Sequence, residues 1–215
     1  HYWGYRNYDT SDDSTNMLPL GIIIGGEELH NNHHAFPTAA KFSLKPWEFD
    51  IGWMYIKIFS FCRLVSVKRL APKTIIDSSG DHFNFEVSNA LLRSKLTVIT
   101  NYTKDVIKPL MKAEFNKADK KLKSLIRKSK ASFAREPHRI TNQQSNQLHE
   151  IFNSCSTLET AYHLKNKLFD ILNTRNQKHE NFIITLDAWC AEAKSKGIDC
   201  LGQFSDSLKG YKVVS

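Results

Sequence analysis

No stretch of this chain reaches the 18 or so consecutive apolar residues that read as a membrane-spanning helix. The nearest candidates, 17–24 and 51–67, are short or broken by charge. Cysteine is scarce and scattered. Cys62, Cys155, Cys190 and Cys200 form no C-x-x-C pair, which argues against a zinc ribbon or a dithiol redox motif and fits a reducing compartment. There is no secretory signal pattern, no internal repeat and no glycine-rich loop to cradle a phosphate. The chain opens His1-Tyr2-Trp3 without a methionine, so we expect it to be part of something longer.

What is present divides into two halves. Residues 1–72 are rich in aromatics and histidine, whereas residues from about 85 onward are polar and helix-like. Ala71-Pro72-Lys73 and Asp77-Ser78-Ser79-Gly80-Asp81 between them are loop chemistry. We therefore expect a first domain over 1–72, a linker over 73–84 and a helical extension over 85–215. The net charge of +8 is unevenly spread: residues 101–150 hold 12 Lys/Arg against 5 Asp/Glu. Such a stretch suits nucleic acid, anionic lipid or an acidic protein, or is simply a solvated helix face.

The most informative cluster is Glu27-Glu28-Leu29-His30-Asn31-Asn32-His33-His34-Ala35-Phe36-Pro37. Spacings of three and four place His30, His33 and His34 on one side of a helix, which Pro37 should end. Imidazole suits iron, zinc, copper and nickel. A zinc protease would need a glutamate between its histidines, where Asn31 and Asn32 stand. Glu27 and Glu28 can accept the outer N–H of a ligating ring. Farther on, the stretch from Phe49 to Val67 carries Trp53, Tyr55, Phe59 and Phe61 and closes with cations. It suits a membrane interface, or else the buried helix of a soluble core.

The second half predicts a chain of helices. Leu92, Leu96, Ile99, Val106 and Leu110 follow three- and four-residue steps, and Pro109 should kink or split that helix. Thr141 should cap a helix to about Asn153. Ser156 and Glu159 have capping-box spacing for a helix to about Thr174. Another should run from Lys178 to Ser195 and stop at Gly197, and a last one from Cys200 to Lys209. The expected fold class is all-α: metal-box and interfacial helices, then a bundle of about five. His82, His138, His149, His163 and His179 are isolated and read as surface or cap residues.

The segment Gly26–Pro37 resembles the third histidine box of the integral-membrane fatty acid desaturases, and its bacterial acyl-CoA branch above all. His1-Tyr2-Trp3-Gly4-Tyr5-Arg6-Asn7-Tyr8-Asp9 is similar to the family's His-x-x-Gly-x-Arg-x-Tyr segment. Asp13-Ser14-Thr15-Asn16 resembles its Asp-x-Ser-x-Asn turn, and Phe49-Asp50-Ile51-Gly52-Trp53 the segment before its last amphipathic helix. The resemblance covers residues 1–72. It implies a di-iron centre that uses O2 to introduce a double bond into a fatty acyl chain, the iron supplying the oxidative chemistry. Carried over, His1, His30, His33 and His34 are iron ligands, Glu27 and Asn31 support them from outside, and Trp3, Tyr5 and Arg6 lie near the substrate channel. The implied partners are an acyl substrate such as acyl-CoA, an electron donor such as ferredoxin or a reductase, and a lipid membrane, with the metal site and tail on its cytoplasmic side. Nucleic acid ranks below these. The family's two earlier histidine boxes and its membrane spans are missing, so the polypeptide alone should be inactive and bind iron poorly.

The second half resembles the C-terminal helical end of certain insertion-sequence transposases over about residues 115–211. The likeness rests on Leu158-Glu159-Thr160-Ala161-Tyr162-His163-Leu164-Lys165, Trp189-Cys190-Ala191-Glu192-Ala193 and Leu201-Gly202-Gln203-Phe204. Its acidic catalytic triad cannot be placed, and Glu159 is the one acid to nominate. A transposase-derived module that binds DNA or a protein is therefore the alternative function. A bundle that docks a redox partner or dimerises is the third.

Overall fold

Short polar side chains that accept from their own backbone start many of the helices. Asp50 accepts from the Trp53 amide, Asn84 from Val87, and Asp119 from Leu122. Thr141 and Gln144 form a reciprocal capping box. Each satisfies amides that a helix start leaves without a partner. The structure is a computed structural model, and it describes residues 3–10, 12–77, 80, 82–174 and 178–214. The fold is all-α with two very small sheets. The chain forms two compact units, His1–Pro72 and Lys73–Ser215.

In the first unit Tyr5 and Asn16 form an antiparallel bridge. Strands β1 (Leu20–Gly21) and β2 (Phe49–Asp50) pair in parallel, with Leu20 opposite Phe49. A 3-10 turn over Glu27–Leu29 leads into helix α1 (His30–Ala35), which ends two residues before Pro37, as expected. Helix α2 (Ile51–Phe61) buries none of its residues fully. It stops short of the expected Val67, and Arg63 just beyond it adopts a positive φ of 59°. The interior of this unit is largely polar: Asn16, Asn31, Asn32, Glu28, Asp50 and Glu48 are buried, with Leu29, Ala35 and Ala39 beside them.

The second unit has a conventional apolar core. Its α-helical segments among the described residues are α3 (Phe85–Arg93), α4 (Lys95–Tyr102), α5 (Lys108–Lys117), α6 (Lys120–Ala134), α7 (Asn142–Phe152), α8 (Ser156–Asn173), α9 (His179–Ser195) and α10 (Asp199–Leu208). That is eight segments, more than the five expected. The extra breaks are local: Ser94 turns its hydroxyl back onto the Ala90 carbonyl between α3 and α4. Of the predicted stripe, Ile99 and Val106 are buried and Leu92, Leu96 and Leu110 partly so, while Leu91, Val98, Tyr102 and Ile107 are buried beside it.

Pro109 does not split its helix. A π turn over Thr103–Ile107 joins α4 to α5, and the Lys108 amide reaches back five residues to the Thr103 carbonyl. Proline has no N–H and its ring crowds the preceding turn, and the wider π turn directly ahead of it accommodates both. Ser156 does not cap α8. Cys155 holds the cap position without a side-chain bond, and Ser156 is already helical. The cap after α9 is as read, with Gly197 at φ 65°. The expected linker contains a strand instead: β3 (Lys73–Ile76) pairs antiparallel with β4 (Tyr211–Val214). Four residues without clear alternation give little strand signal. The sheet closes tightly at Gly210, where an added Cβ would come 2.0 Å from the Asp77 carbonyl.

The centre of this unit is aromatic. Tyr102, Trp189, Phe204 and Tyr211 are buried, with Tyr102 and Phe204 edge-on at 4.9 Å. Their polar ends are matched: Tyr102 donates to Ala161 O at 2.8 Å, and the Trp189 indole to Leu164 O at 3.0 Å. Buried aromatic groups gain most from packing when such ends find partners.

Candidate functional site

The 3-10 turn and α1 bring three imidazoles together. Ring centroids of His30 and His34 are 4.3 Å apart, those of His33 and His34 5.6 Å, and those of His30 and His33 6.1 Å. His30 Nδ1 lies 3.1 Å from Glu27 Oε2, and His34 Nδ1 pairs closely with the Asp12 carboxylate. A carboxylate can only accept, so each ring directs an Nδ1–H at it, and in a neutral imidazole that leaves the lone pair on Nε2, the arrangement of a metal-ligating histidine. His33 Nδ1 is buried without a hydrogen-bond partner. Asp12 is held well below the usual carboxylate range. Burial pushes it up, but hydrogen bonds from Ser14, Thr10 and His34 outweigh that.

A polar network fixes this helix. Asn31 Oδ1 accepts the amides of Asn7 and Tyr8 at 2.8 and 2.9 Å, and its Nδ2 donates to Tyr8 O at 3.0 Å. Asn31 therefore staples residues 7–10 to α1. Asn32 donates to Glu48 Oε2 at 2.8 Å and accepts from Asn7 and Asn16. Glu48 also receives the Tyr5 hydroxyl at 2.7 Å. Burial and this carboxylate push the Tyr5 hydroxyl pKa well up. The Glu28 carboxylate accepts the amides of Ile23, Ile24 and Gly26. Burial raises its pKa, yet these donors bring it below the ordinary value of 4.5.

Glu27 stands where the sequence put it, against His30. His1 lies outside the described residues. Trp3 is 84% exposed, and Arg6 braces the loop carbonyls of Thr10 and Asp12. Asp12 and Glu48 were not anticipated, because neither stands at a helical step from the histidines. An open groove of about 380 Å³ runs from His33 past Phe42 to Ile56, Phe59, Val65 and Val67. The donor types fit iron, but the set is short. Among the described residues no group of three or more His, Cys, Asp and Glu is placed to hold a metal ion, and none of their helices is long and apolar enough to cross a membrane.

In the second unit Glu159 lies 3.8 Å from His163 on α8, in a shallow groove with Lys167, Glu192 and Lys196. Glu192 is paired with Lys167, and Glu159 and Glu192 are the acids among the described residues that line this groove. The exposed lysines Lys104, Lys108 and Lys112 follow one another at four-residue steps, and Lys128 and Lys130 stand exposed on α6.

Comparison with known proteins finds two kinds of relative. The sn-1 stearoyl-lipid 9-desaturase of Anabaena variabilis is 41% identical over 73 residues, 34% of this chain and 27% of that protein. The Delta-9 desaturase-like 4 protein of Arabidopsis thaliana is 44% identical over 59 residues, 27% of this chain and 20% of that one. The sn-2 palmitoyl-lipid 9-desaturase of Nostoc sp. (strain 36) is 43% identical over 58 residues, again 27% and 20%. The chain thus spans about a quarter of the length of these relatives. No solved structure matches. Residues 99–213, more than half of the chain, match the model of a family described as Transposase, and the chain belongs to that transposase family.

Proposed function

We propose that the first unit is the histidine-box segment of a fatty acid desaturase, and that it contributes His30, His33 and His34, together with His1, to a di-iron centre. The observation that carries this is the cluster of three imidazoles, two of them backed by Glu27 and Asp12 on Nδ1. The 73-residue length of the Anabaena variabilis match agrees with the 72 residues of the unit. Iron, when bound, supplies O2 activation and removal of two hydrogens from an acyl methylene pair. The chain's own residues hold the rings: Glu27 and Asp12 set their tautomers, and Asn31, Asn32 and Glu48 fix the backbone that carries them. Two of these relatives are named for lipid-linked acyl chains, so we assign an acyl lipid rather than acyl-CoA as the substrate class of the whole enzyme, with a ferredoxin- or reductase-type donor. The exposed apolar and aromatic residues of the unit support a site at a membrane face, which we assign to the cytoplasmic side. With the other histidine boxes missing, this chain alone forms no desaturated product. Iron analysis and acyl-chain analysis of the purified chain test this reading: we expect well under one iron per chain and no new double bond, and stoichiometric iron with desaturation would overturn it.

A second reading concerns Lys73–Ser215. The transposase match together with the lysine row at 104, 108 and 112 supports a module that contacts the phosphate backbone of nucleic acid. Binding should then weaken steeply between about 50 and 200 mM salt, and further with Lys108→Glu and Lys112→Glu. Anisotropy with a labelled duplex checks it; no binding at the lower salt removes this reading and leaves the lysines as a solvated face.

A further inference from the structure

Strand β3 has one edge against β4 and the other edge open. The pairing sets Ile75 opposite Lys212 and Ile76 opposite Tyr211. Just beyond the strand, the Asp77 amide donates to Gly210 O at 2.8 Å on the same side. Backbone groups of successive residues in an antiparallel strand turn to alternate sides. Lys73, Ile75 and Asp77 therefore turn theirs toward β4, and Thr74 and Ile76 turn theirs away. Among the described residues no third strand joins this sheet. The edge is also apolar, since Ile75 and Ile76 are each 47% exposed. An open edge of this kind is a template for another strand.

The order Lys73-Thr74-Ile75-Ile76-Asp77 complements itself when run antiparallel. Centred on Ile75, a second copy sets Ile75 against Ile75, Thr74 against Ile76 and Lys73 against Asp77. The outward backbone groups of Thr74 and Ile76 then meet as hydrogen-bonded pairs. The two Ile75 side chains fall in the non-hydrogen-bonded position, where side chains come closest. Each Lys73 faces a carboxylate of the other copy. Asp77 already holds Lys212 at 2.6 Å, so in the pair it lies between two ammoniums. A parallel arrangement would set Lys73 on Lys73 and Asp77 on Asp77, with like charges opposed. A lysine on an edge ordinarily discourages pairing; a strand with an acid at the matching place removes that obstacle, and β3 is itself such a strand.

We propose that the free edge of β3 is a self-association surface, where two copies of this chain join about a two-fold axis at Ile75 into one antiparallel sheet of order β4-β3-β3-β4. The same patch serves both copies, as a two-fold contact requires. The pairing is short, which places it among weak, transient associations. It requires neither the desaturase reading of the first unit nor the nucleic-acid reading of the second.

Disulfide trapping in the full chain tests this. Cys62→Ser first removes the exposed thiol. On that background Ile75→Cys sets two thiols across the axis, with Cα atoms about 4.5 Å apart, within reach of a disulfide. Diamide is the oxidant that takes up the two electrons and protons. We expect a reducible dimer as the main product. Lys73→Cys, whose two copies lie at opposite ends of the pair, and Ile184→Cys, exposed on α9, should each give about tenfold less. Adding Ile76→Pro to Ile75→Cys removes an outward N–H and spares the ladder to β4, and should lower trapping about tenfold. Adding Lys73→Glu, which opposes Asp77 with a like charge, should lower it about fivefold. Far-UV circular dichroism establishes that the variants are folded; if Ile76→Pro is not, Lys73→Glu decides alone. No dimer from Ile75→Cys would overturn the proposal, as would equal trapping at positions 73, 75 and 184. Trapping that the folded Ile76→Pro and Lys73→Glu variants leave unaltered would overturn it too.

Discussion

The ammonium of Lys165, on α8, donates to the carbonyl of Phe133 at 2.7 Å and continues to those of Ala134 and Arg135 at 2.9 and 3.0 Å. Lys165 is only 1% exposed. A charge so deeply buried is tolerated because three carbonyls at the end of α6 surround it, where the helix dipole is negative. It ties two helices together where α6 must stop before Pro137.

Lys165→Met keeps the aliphatic stem but orphans those carbonyls. We expect a loss of about 2–3 kcal/mol. Urea unfolding followed by helical circular dichroism measures it, and a change within about 0.5 kcal/mol would show that water replaces the ammonium without cost.

Asn31→Ala removes the acceptor for two amides and the donor to Tyr8 O and Thr10 Oγ1. Residues 7–10 should then exchange their amide hydrogens at least tenfold faster, while α8 and α9 are unaffected. Hydrogen exchange read by mass spectrometry checks both halves of this statement.

Glu28 gives the first unit an acid limit. Its folded-state pKa lies below its ordinary value of 4.5, so the unfolded chain takes up the proton first as pH falls. The stabilisation is full above about pH 4.5 and is lost as pH drops through the folded-state pKa. Glu28→Gln should flatten that part of the stability profile, read from unfolding midpoints between about pH 5 and 3; an unchanged slope would assign it to other carboxylates.

The thiols should differ in reactivity. Burial pushes Cys190 up to about 12, with Asp187 adding to the effect, whereas Cys62 is exposed. Only the thiolate attacks an alkylating agent. Iodoacetamide at about pH 8 should therefore modify Cys62 in the native chain and leave Cys190 untouched until denaturant is added. Peptide mapping after a short pulse distinguishes the two.

Much of the architecture was legible in short-range chemistry. Gly197 after α9 and the Thr141 cap of α7 are decided within four or five residues, and so is the placement of His30, His33 and His34 on one short helix with Glu27 behind. What lay beyond that range was not legible. Ser94 breaks a helix that the apolar steps run straight through, because its hydroxyl competes for the Ala90 carbonyl. Pro109 ends nothing, because a π turn precedes it. The strand at Lys73–Ile76 exists only because Tyr211–Val214 returns beside it.

The sequence by itself determined the kind of chemistry: which rings could bind a metal, which half would be helical, and where the basic residues would lie. Tertiary structure alone decided that Asp12 reaches His34 across 22 positions, that Glu48 gathers Tyr5, Asn7 and Asn32, and that Asn31 holds the loop at Asn7 and Tyr8. Helical periodicity is a property of neighbours along the chain. A carboxylate meeting an imidazole from a distant loop is a property of how the chain closes on itself, and no local pattern encodes it.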